Sequence, residues 1–499
     1  MEGLLLLIAI LLPAVGSLLV MFLPWVNENR NNRCIFVGAV MVLECIVVLL
    51  VALSGEQTLV LFEMTKDLPI ALRSDGTSRV FSAVMALMWT ISGFYSFGYM
   101  KHEQNEKSYY AFYLMTLASL IALTLSGTMV TMYLFFEMMT FISMPMVLHS
   151  RSKEAVAAGI KYLIYSVAGA TMGLLGIFML TPNISSTFFV AGGSLMTDQL
   201  TLPLAAMQAV ILITLIGFGT KAGMFPMHGW LPTAHPVAPS PASAVLSGVI
   251  TKAGVLCIFR MIFYVVGPDF IRGTWVQWTL LACATITVFM GSMLALREKQ
   301  IKKRLAYSSV SQVSYVLCGV FILDTMALEG AFLQIVFHAL TKDALFLCAG
   351  AIILKAGISR VDEMQNLGKR MPWTMWMFTI CAISLVGIPP LGGFIAKWHI
   401  AEGALTSGTQ VFSWLVPTVL LVSAMLTAGY LLPPSVSAFF GGMAQTESPA
   451  IREDAKDPGL LMLVPIGILT LAIIILGAFP SIMIENFDNV INTLLKGAL

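Results

Sequence analysis

About fourteen apolar segments recur along this chain, each near the roughly 20 residues a helix needs to cross a bilayer, with short loops between them. In hydrocarbon every backbone N–H and C=O must find a partner inside the protein, so such a pattern can fold only as a bundle of membrane helices. Composition agrees: 58% of the 499 residues are hydrophobic and 11% are charged, against about a quarter charged in a soluble domain. The segments leave no room for a soluble domain. The expected fold is one all-α polytopic membrane domain over residues 1–499. A net charge of +2 gives no reason to expect nucleic acid as a partner.

The spans are expected near 3–24, 33–54, 78–100, 109–127, 129–149, 155–181, 203–225, 238–266, 275–296, 304–323, 328–355, 372–400, 411–440 and 459–479. The N-terminus lacks a positive leader and a small-residue cleavage site, so it reads as the first span. Residues 55–77 alternate like a short hairpin or a surface excursion. Ile482, Ile484, Phe487, Val490, Ile491 and Leu494 share one helix face, which predicts an amphipathic helix on the membrane surface. With the N-terminus outside, Arg30, Arg33, Lys101, Lys107, Arg151, Lys153, the run REKQIKKR at 297–304, Lys355, Arg360, Lys369, Arg370, Arg452 and Lys456 all fall on the inner side. The outer side keeps Lys66, Arg73, Arg79, Arg272 and Lys496. This bias predicts an even number of spans, with both termini on the outer face of the cell's inner (plasma) membrane. The run REKQIKKR is read as an inner loop obeying that rule.

Three spans carry irregular features. Pro226 ends span seven, GIPPLGGF with Pro389 and Pro390 interrupts span twelve, and HALTKDA at 338–344 puts polar residues in the middle of span eleven. Proline removes a helical hydrogen bond, and non-helical backbone at membrane depth is tolerated only where protein or an internal aqueous path satisfies it. Spans seven and twelve lie five apart and each carries a lysine beside its break, Lys221 and Lys397. Two five-helix repeats, spans four to eight and nine to thirteen, would give this spacing. An odd span number then inverts the second copy, as in transporters. The divisions expected are 1–108 (spans one to three), 109–266, 275–440, and 459–499 (span fourteen and the amphipathic helix).

Ionisable groups at membrane depth are costly and usually functional. Within the spans stand Lys161, Lys221, Lys252, Arg260, Lys342 and Lys397. Glu137, in the middle of span five, reads as a carboxylate paired with a buried lysine, or as a protonated core carboxyl. A desolvated lysine can give up its proton near neutrality and arginine cannot, which suits Lys221 to carrying protons. Ser247, Gly248, Thr251 and Gly254 leave a small, polar surface around Lys252. His338 and Lys342 are four apart and share a face of span eleven; they read as a proton or water relay. His228 and His235 either line an entrance or cap helix ends. Glu44 is a core acid or a subunit contact. Asp343, beside Lys342, is expected to neutralise it locally. The seven cysteines form no CxxC pair and read as core residues. No iron–sulfur, haem, flavin, nucleotide or metal motif is present, so no cofactor or catalytic redox site is expected in this chain.

GFGTKAGMFPMHGWLPTAHPVAPSPASAVLSGVITKAGV at 217–255, KRLAYSSVSQVSY at 303–315, HALTKDALFLCAG at 338–350, GIPPLGGFIAKW at 387–398 and FFEMMTFISMP at 135–145 resemble antiporter-like, proton-conducting subunits. These occur in respiratory complex I, in Mrp-type multisubunit cation/proton antiporters and in membrane-bound energy-converting hydrogenases. The resemblance runs from about residue 110 to 400. It implies fourteen helices, two inverted five-helix repeats and a hydrated charge axis. It also implies Glu137 and Lys221 as the controlling ion pair, Lys252 and His338 as connectors, and Lys397 as the lysine of the second half-channel. Thr233 and Val237 stand where many relatives carry aspartate and glutamate, so no acids are implied at that entrance. The chain ends soon after span fourteen, without the lateral helix of the longest complex I member.

The function expected is a proton-translocating subunit of a multisubunit ion-pumping complex, driven by redox chemistry in partner subunits. Its neighbours would be other membrane subunits, related antiporter-like ones among them, and the lipid bilayer. The alternative is a Mrp-type sodium/proton antiporter subunit without redox partners, which leaves sodium open as a second ion.

Overall fold

The computed structural model describes residues 3–65, 68–441 and 450–496. Lys66, counted above among the outer charges, lies outside the described residues. Among these, twelve helices are long and apolar enough to cross a membrane.

The helices run α1 (Leu4–Phe22), α2 (Arg30–Leu53), α3 (Gly76–Tyr99), α4 (Glu106–Thr124), α5 (Met129–Val147), α6 (Lys153–Leu180) and α7 (Leu204–Ala222). Next come α8 (Ser240–Val266), α9 (Trp275–Arg297), α10 (Ile301–Ile322), α11 (Thr325–Ala356), α12 (Pro372–Val386), α13 (Gly392–Thr406), α14 (Phe412–Phe440), α15 (Leu460–Ala478) and α16 (Ser481–Lys496). Each expected span is occupied by one helix, except that span twelve is two, α12 and α13. Residues 55–77 contain the hairpin their alternation suggested: β1 (Gln57–Thr65) pairs antiparallel with β2 (Leu68–Ser74), with register shifts after Val60 and Glu63. Asp75 then caps α3, its side chain accepting from the Ser78 N–H at 2.8 Å.

Burial sorts the bundle. The apolar stretch of α8 is wholly buried, and α10 and α11 nearly so. The outer helices α1 and α2 leave Leu11, Leu18, Leu43 and Leu53 exposed, as lipid-facing helices do. Charged residues can therefore stand at membrane depth on α8, α10 and α11, where other helices surround them.

The breaks fall where the sequence put two of them. α7 stops at Gly223, whose φ of 77° ends the helix in the left-handed conformation. A short helix, Leu231–Val237, bridges to α8. α12 stops at Gly387 (φ 93°), and α13 begins after Pro389 and Pro390. Span eleven differs from expectation. α11 runs unbroken for 32 residues through HALTKDA, because polar side chains do not themselves remove a backbone hydrogen bond. The unforeseen distortions are two wide, π-helical turns in α8, at Leu246–Ile250 and Met261–Val266.

α16 is amphipathic as expected, but its apolar side turns toward the bundle. Phe487, Ile491 and Leu494 are buried, with Phe487 against Phe332 of α11 at 5.3 Å between ring centres.

Candidate functional site

Lys221 occupies the last turn of α7, just before the break. Glycines bring α6 and α7 close enough for its side chain to cross. A Cβ at Gly169 would stand 2.5 Å from the Gly217 carbonyl oxygen, and a Cβ at Gly217 equally close to that of Gly169. Fully buried, Lys221 donates to Tyr162 Oη at 2.6 Å, Thr140 Oγ1 at 2.9 Å and Ser166 Oγ at 3.2 Å. Its Nζ also lies 4.3 Å from the centre of the Tyr162 ring. Trp230 closes the break by donating to the Thr220 carbonyl at 2.8 Å. Neutral hydroxyls thus take all three lysine protons.

Glu137 stands apart from that cradle. It is half-buried on α5, beside the exposed Leu134, Met138 and Phe141. Its carboxylate makes no direct ion pair or hydrogen bond among the described residues. The two charges remain within electrostatic reach of each other, but Glu137 sits toward the outer side of α5, while Thr140, almost one turn on, contacts Lys221.

Lys252 lies two residues beyond the first wide turn of α8. Its Nζ contacts His338 Nδ1 on α11 directly and donates to the Ser247 carbonyl at 3.1 Å. That carbonyl also accepts from Thr251 Oγ1 at 2.7 Å. Gly254 carries the connection back: a Cβ there would lie 2.9 Å from Lys221 Cβ. His338 and Lys342 share a face of α11, yet Lys342 turns to α10, donating to Ser308 Oγ at 2.7 Å and to the Leu305 carbonyl at 3.1 Å. Tyr430 of α14 donates to the same Ser308 oxygen at 2.8 Å. Asp343 points away from Lys342, toward α3 and α8, and accepts from Ser92 Oγ at 3.0 Å. It does not neutralise Lys342 by contact.

Lys397 follows the second break, on α13, whereas Lys221 precedes the first. Its Nζ donates to the Val386 carbonyl at 2.9 Å and the Leu385 carbonyl at 2.5 Å, the free C-terminal carbonyls of α12. Lys397, His338, Thr341, Gln312 and Gln334 line one narrow crevice, and Gln334 donates to Gln312 at 3.0 Å inside it.

The two link histidines do not cap helices. Both ring nitrogens of His235, and Nδ1 of His228, are buried without a hydrogen-bond partner among the described residues. His235 stacks on Phe346 at 4.9 Å, and His228 on Phe225 at 6.2 Å. Beside His235, Tyr99, Glu103, Pro236, Pro239 and Lys302 line a cavity of about 290 Å³. Lys302 comes from the basic run assigned above to a loop. It folds inward instead, donating to the carbonyls of Ala238 and Pro236, and Arg304 bonds the Tyr430 carbonyl at 2.7 Å. The Glu44 carboxylate is buried, with neither oxygen partnered among the described residues. Sequence reasoning passed over the hydroxyl cradle, the glutamines, Lys302, and a pair between Glu329 and His399, 3.0 Å apart near Lys397. Ser, Thr and Gln in apolar spans were the available signal; which of them converge depends on tertiary packing.

The sequence model of the family described as NADH:quinone oxidoreductase/Mrp antiporter, TM, matches residues 126–427. The chain belongs to this family. Members include NADH-quinone oxidoreductase subunit N of Desulforudis audaxviator (strain MP104C), 31% identical over 81% of this chain and 80% of that protein. A Na(+)/H(+) antiporter subunit of Bacillus subtilis (strain 168) is 29% identical over 89% of this chain and 88% of its own length. A chain in the structure of the Mrp complex from Dietzia sp. DQ12-45-1b superposes with a TM-score of 0.84 at 21% identity, over 99% of this chain and 97% of that one. The chain shares their helical membrane fold, and every break and buried lysine described above, Lys221 to Lys397, lies inside the matched region.

Proposed function

We propose that this chain is a proton-translocating subunit of a multisubunit complex in the inner (plasma) membrane, driven by redox chemistry in partner subunits. The observation that carries the reading is the direct Lys252–His338 contact at the centre of a row of buried bases. Protons reach Lys221, pass through Lys252 and His338 along the Gln312–Gln334 crevice, and arrive at Lys397. Lys342, held by Ser308, supplies a second base one turn from His338. The cavity beside His235 serves as the inlet, and the Glu329–His399 pair as the outlet. In this reading fourteen spans, with α4–α8 and α9–α14 as inverted repeats and both termini outside, set inlet and outlet on opposite faces.

Glu137 is the switch. Brought against Lys221 it raises that lysine's proton affinity; withdrawn, it leaves Lys221 to the neutral cradle seen here. Breaking a buried pair from one side costs ~3–5 kcal/mol, and moving a charge against 100 mV costs ~2.3 kcal/mol. One such switch therefore suffices for one proton. Glu137→Ala and Lys221→Ala should each assemble but fail to translocate protons in vesicles; normal transport by both would sink the proposal. Similarity to the Bacillus subtilis antiporter protein favours a second reading, sodium/proton exchange without redox partners. Identifying the subunits that purify with the chain separates the two: redox subunits support the first, small membrane subunits alone the second.

A further inference from the structure

On the face opposite the Lys302 cavity lies a larger one, about 690 Å³. It opens where α2 ends, α3 begins and α16 crosses, its lining running from Ala52 through Arg73 and Arg79 to Asn489. The termini of transmembrane helices put it at the depth of lipid headgroups, not of the hydrocarbon. Its charges are unequally satisfied. Asp75 at its floor is closed off by Arg260, which holds it through two hydrogen bonds of 2.5 and 3.0 Å. Arg73 donates to the Phe189 carbonyl at 2.8 Å and meets the exposed Glu56 only at 3.4 Å. The Arg79 guanidinium has no hydrogen-bond or ion-pair partner among the described residues, and its Nε is buried without an acceptor.

A guanidinium fork left open in this way matches an oxyanion with two or more oxygens, and phosphate above all. Beside the cavity, α2 exposes Leu49, Leu50 and Leu53 by 40, 47 and 84%, an apolar track leading away from Ala52 into the membrane. We propose that this cavity binds a membrane phospholipid, its phosphate on Arg79 and Arg73 and an acyl chain along Leu49 and Leu50. Unpaired guanidinium groups at headgroup depth are suited to a lipid phosphate. Neither the translocation row nor its inlet takes part, so the inference stands apart from the proposed function.

The test uses the full chain in its native complex, delipidated in mild detergent and titrated with phosphatidylglycerol or with inorganic phosphate, while bound lipid phosphorus and the thermal midpoint are read. Wild-type protein should retain phospholipid and gain thermal stability on its return, with no gain from inorganic phosphate. Arg79→Ala should lower retention at least about tenfold, as loss of a charge-assisted hydrogen bond does. Asn489→Asp, which sets an anion in the cavity while keeping both arginines, should do the same if Arg79→Ala fails to fold. Lys299→Ala, an exposed basic residue on the other face, should behave as wild type. Equal retention by Arg79→Ala and Asn489→Asp, an equal loss in Lys299→Ala, or a response to inorganic phosphate as strong as to lipid would each overturn the proposal.

Discussion

Gly248 of α8 lies against the carboxylate of Asp343 of α11, so close that a Cβ on Gly248 would stand 1.7 Å from Oδ1. This oxygen is buried and has no hydrogen-bond partner among the described residues, while Oδ2 accepts from Ser92. The wide turn at Leu246–Ile250 carries Gly248, and Lys252 follows one helical turn later. The acid is thus held near the Lys252–His338 contact by the one residue type that leaves it room. Gly248→Ala should displace Asp343, costing ~1–3 kcal/mol of stability as overpacking does, and should slow proton transport. Gly429→Ala is the control, since a Cβ there meets only Leu296 at 3.4 Å. Thermal unfolding and vesicle transport assays on the two variants separate the outcomes; equal behaviour would remove Asp343 from the site.

Much of this arrangement was legible in the residues. Apolar runs marked the helices, Pro226 and Pro389 marked the breaks, and lysines in apolar context marked the buried bases, because each reflects a local cost that the chain cannot hide. What was not legible is contact. Nothing in FFEMMT says that Glu137 lies outside the cradle while Thr140 lies in it, since both are polar and three residues apart. Lys302 and Arg304 looked like loop charges because their partners, the carbonyls of Ala238 before α8 and Tyr430 on α14, come from distant parts of the chain. The wide turns of α8 have no composition of their own. HALTKDA suggested a break because polarity and irregular backbone often occur together, although only Pro and Gly act on the backbone directly.

The hydroxyl cradle makes a graded prediction. Tyr162 Oη is the nearest acceptor of Lys221 and also shares a 2.7 Å hydrogen bond with Ser143 Oγ. Tyr162→Phe removes one of the three acceptors of a buried ammonium, a change of about 1.5–3 kcal/mol for a hydrogen bond to a charged group. Proton transport should fall about tenfold or more, with the complex still assembled. Ser143→Ala removes only the outer partner and should fall less. Transport rates in reconstituted vesicles decide; the reverse order would place Tyr162 outside the pathway.

The cavity proposed as the inlet carries a pH signature. Glu103 lies in the loop after α3, and burial pushes its carboxyl above the usual range, Lys302 offsetting part of the rise. A carboxyl whose folded-state value is raised favours folding when protonated. That contribution is complete below the unfolded value and disappears as pH rises through the folded one. The thermal midpoint of the wild type should therefore decline across this interval as pH increases. Glu103→Gln, which cannot ionise, should flatten the decline. Parallel curves for the two proteins would mean that Glu103 is freely solvated.

The Arg260–Asp75 pair predicts stability without transport. It is buried, doubly hydrogen-bonded, and supported by Ser78 Oγ at 2.9 Å from Arg260. Asp75→Asn keeps an acceptor at the start of α3 but leaves the arginine charge uncompensated, at a cost of ~3–5 kcal/mol. A shift corresponding to less than ~1 kcal/mol would show that the arginine finds another partner.

Lys397 has two separable duties. Its ammonium ties down the Leu385 and Val386 carbonyls left free where α12 stops at Gly387, and in the proposed relay it also takes and releases a proton. Lys397→Met should lose both: ~1.5–3 kcal/mol of stability, from hydrogen bonds to a charged group, and all net transport. Lys397→Arg keeps a cation with several donors and should recover most of the stability. It should not recover transport, because a guanidinium does not give up its proton. Thermal unfolding beside proton uptake in the same vesicles reads the two duties independently. Wild-type transport by Lys397→Arg would leave the lysine as a cap on α12 and end the relay at His338.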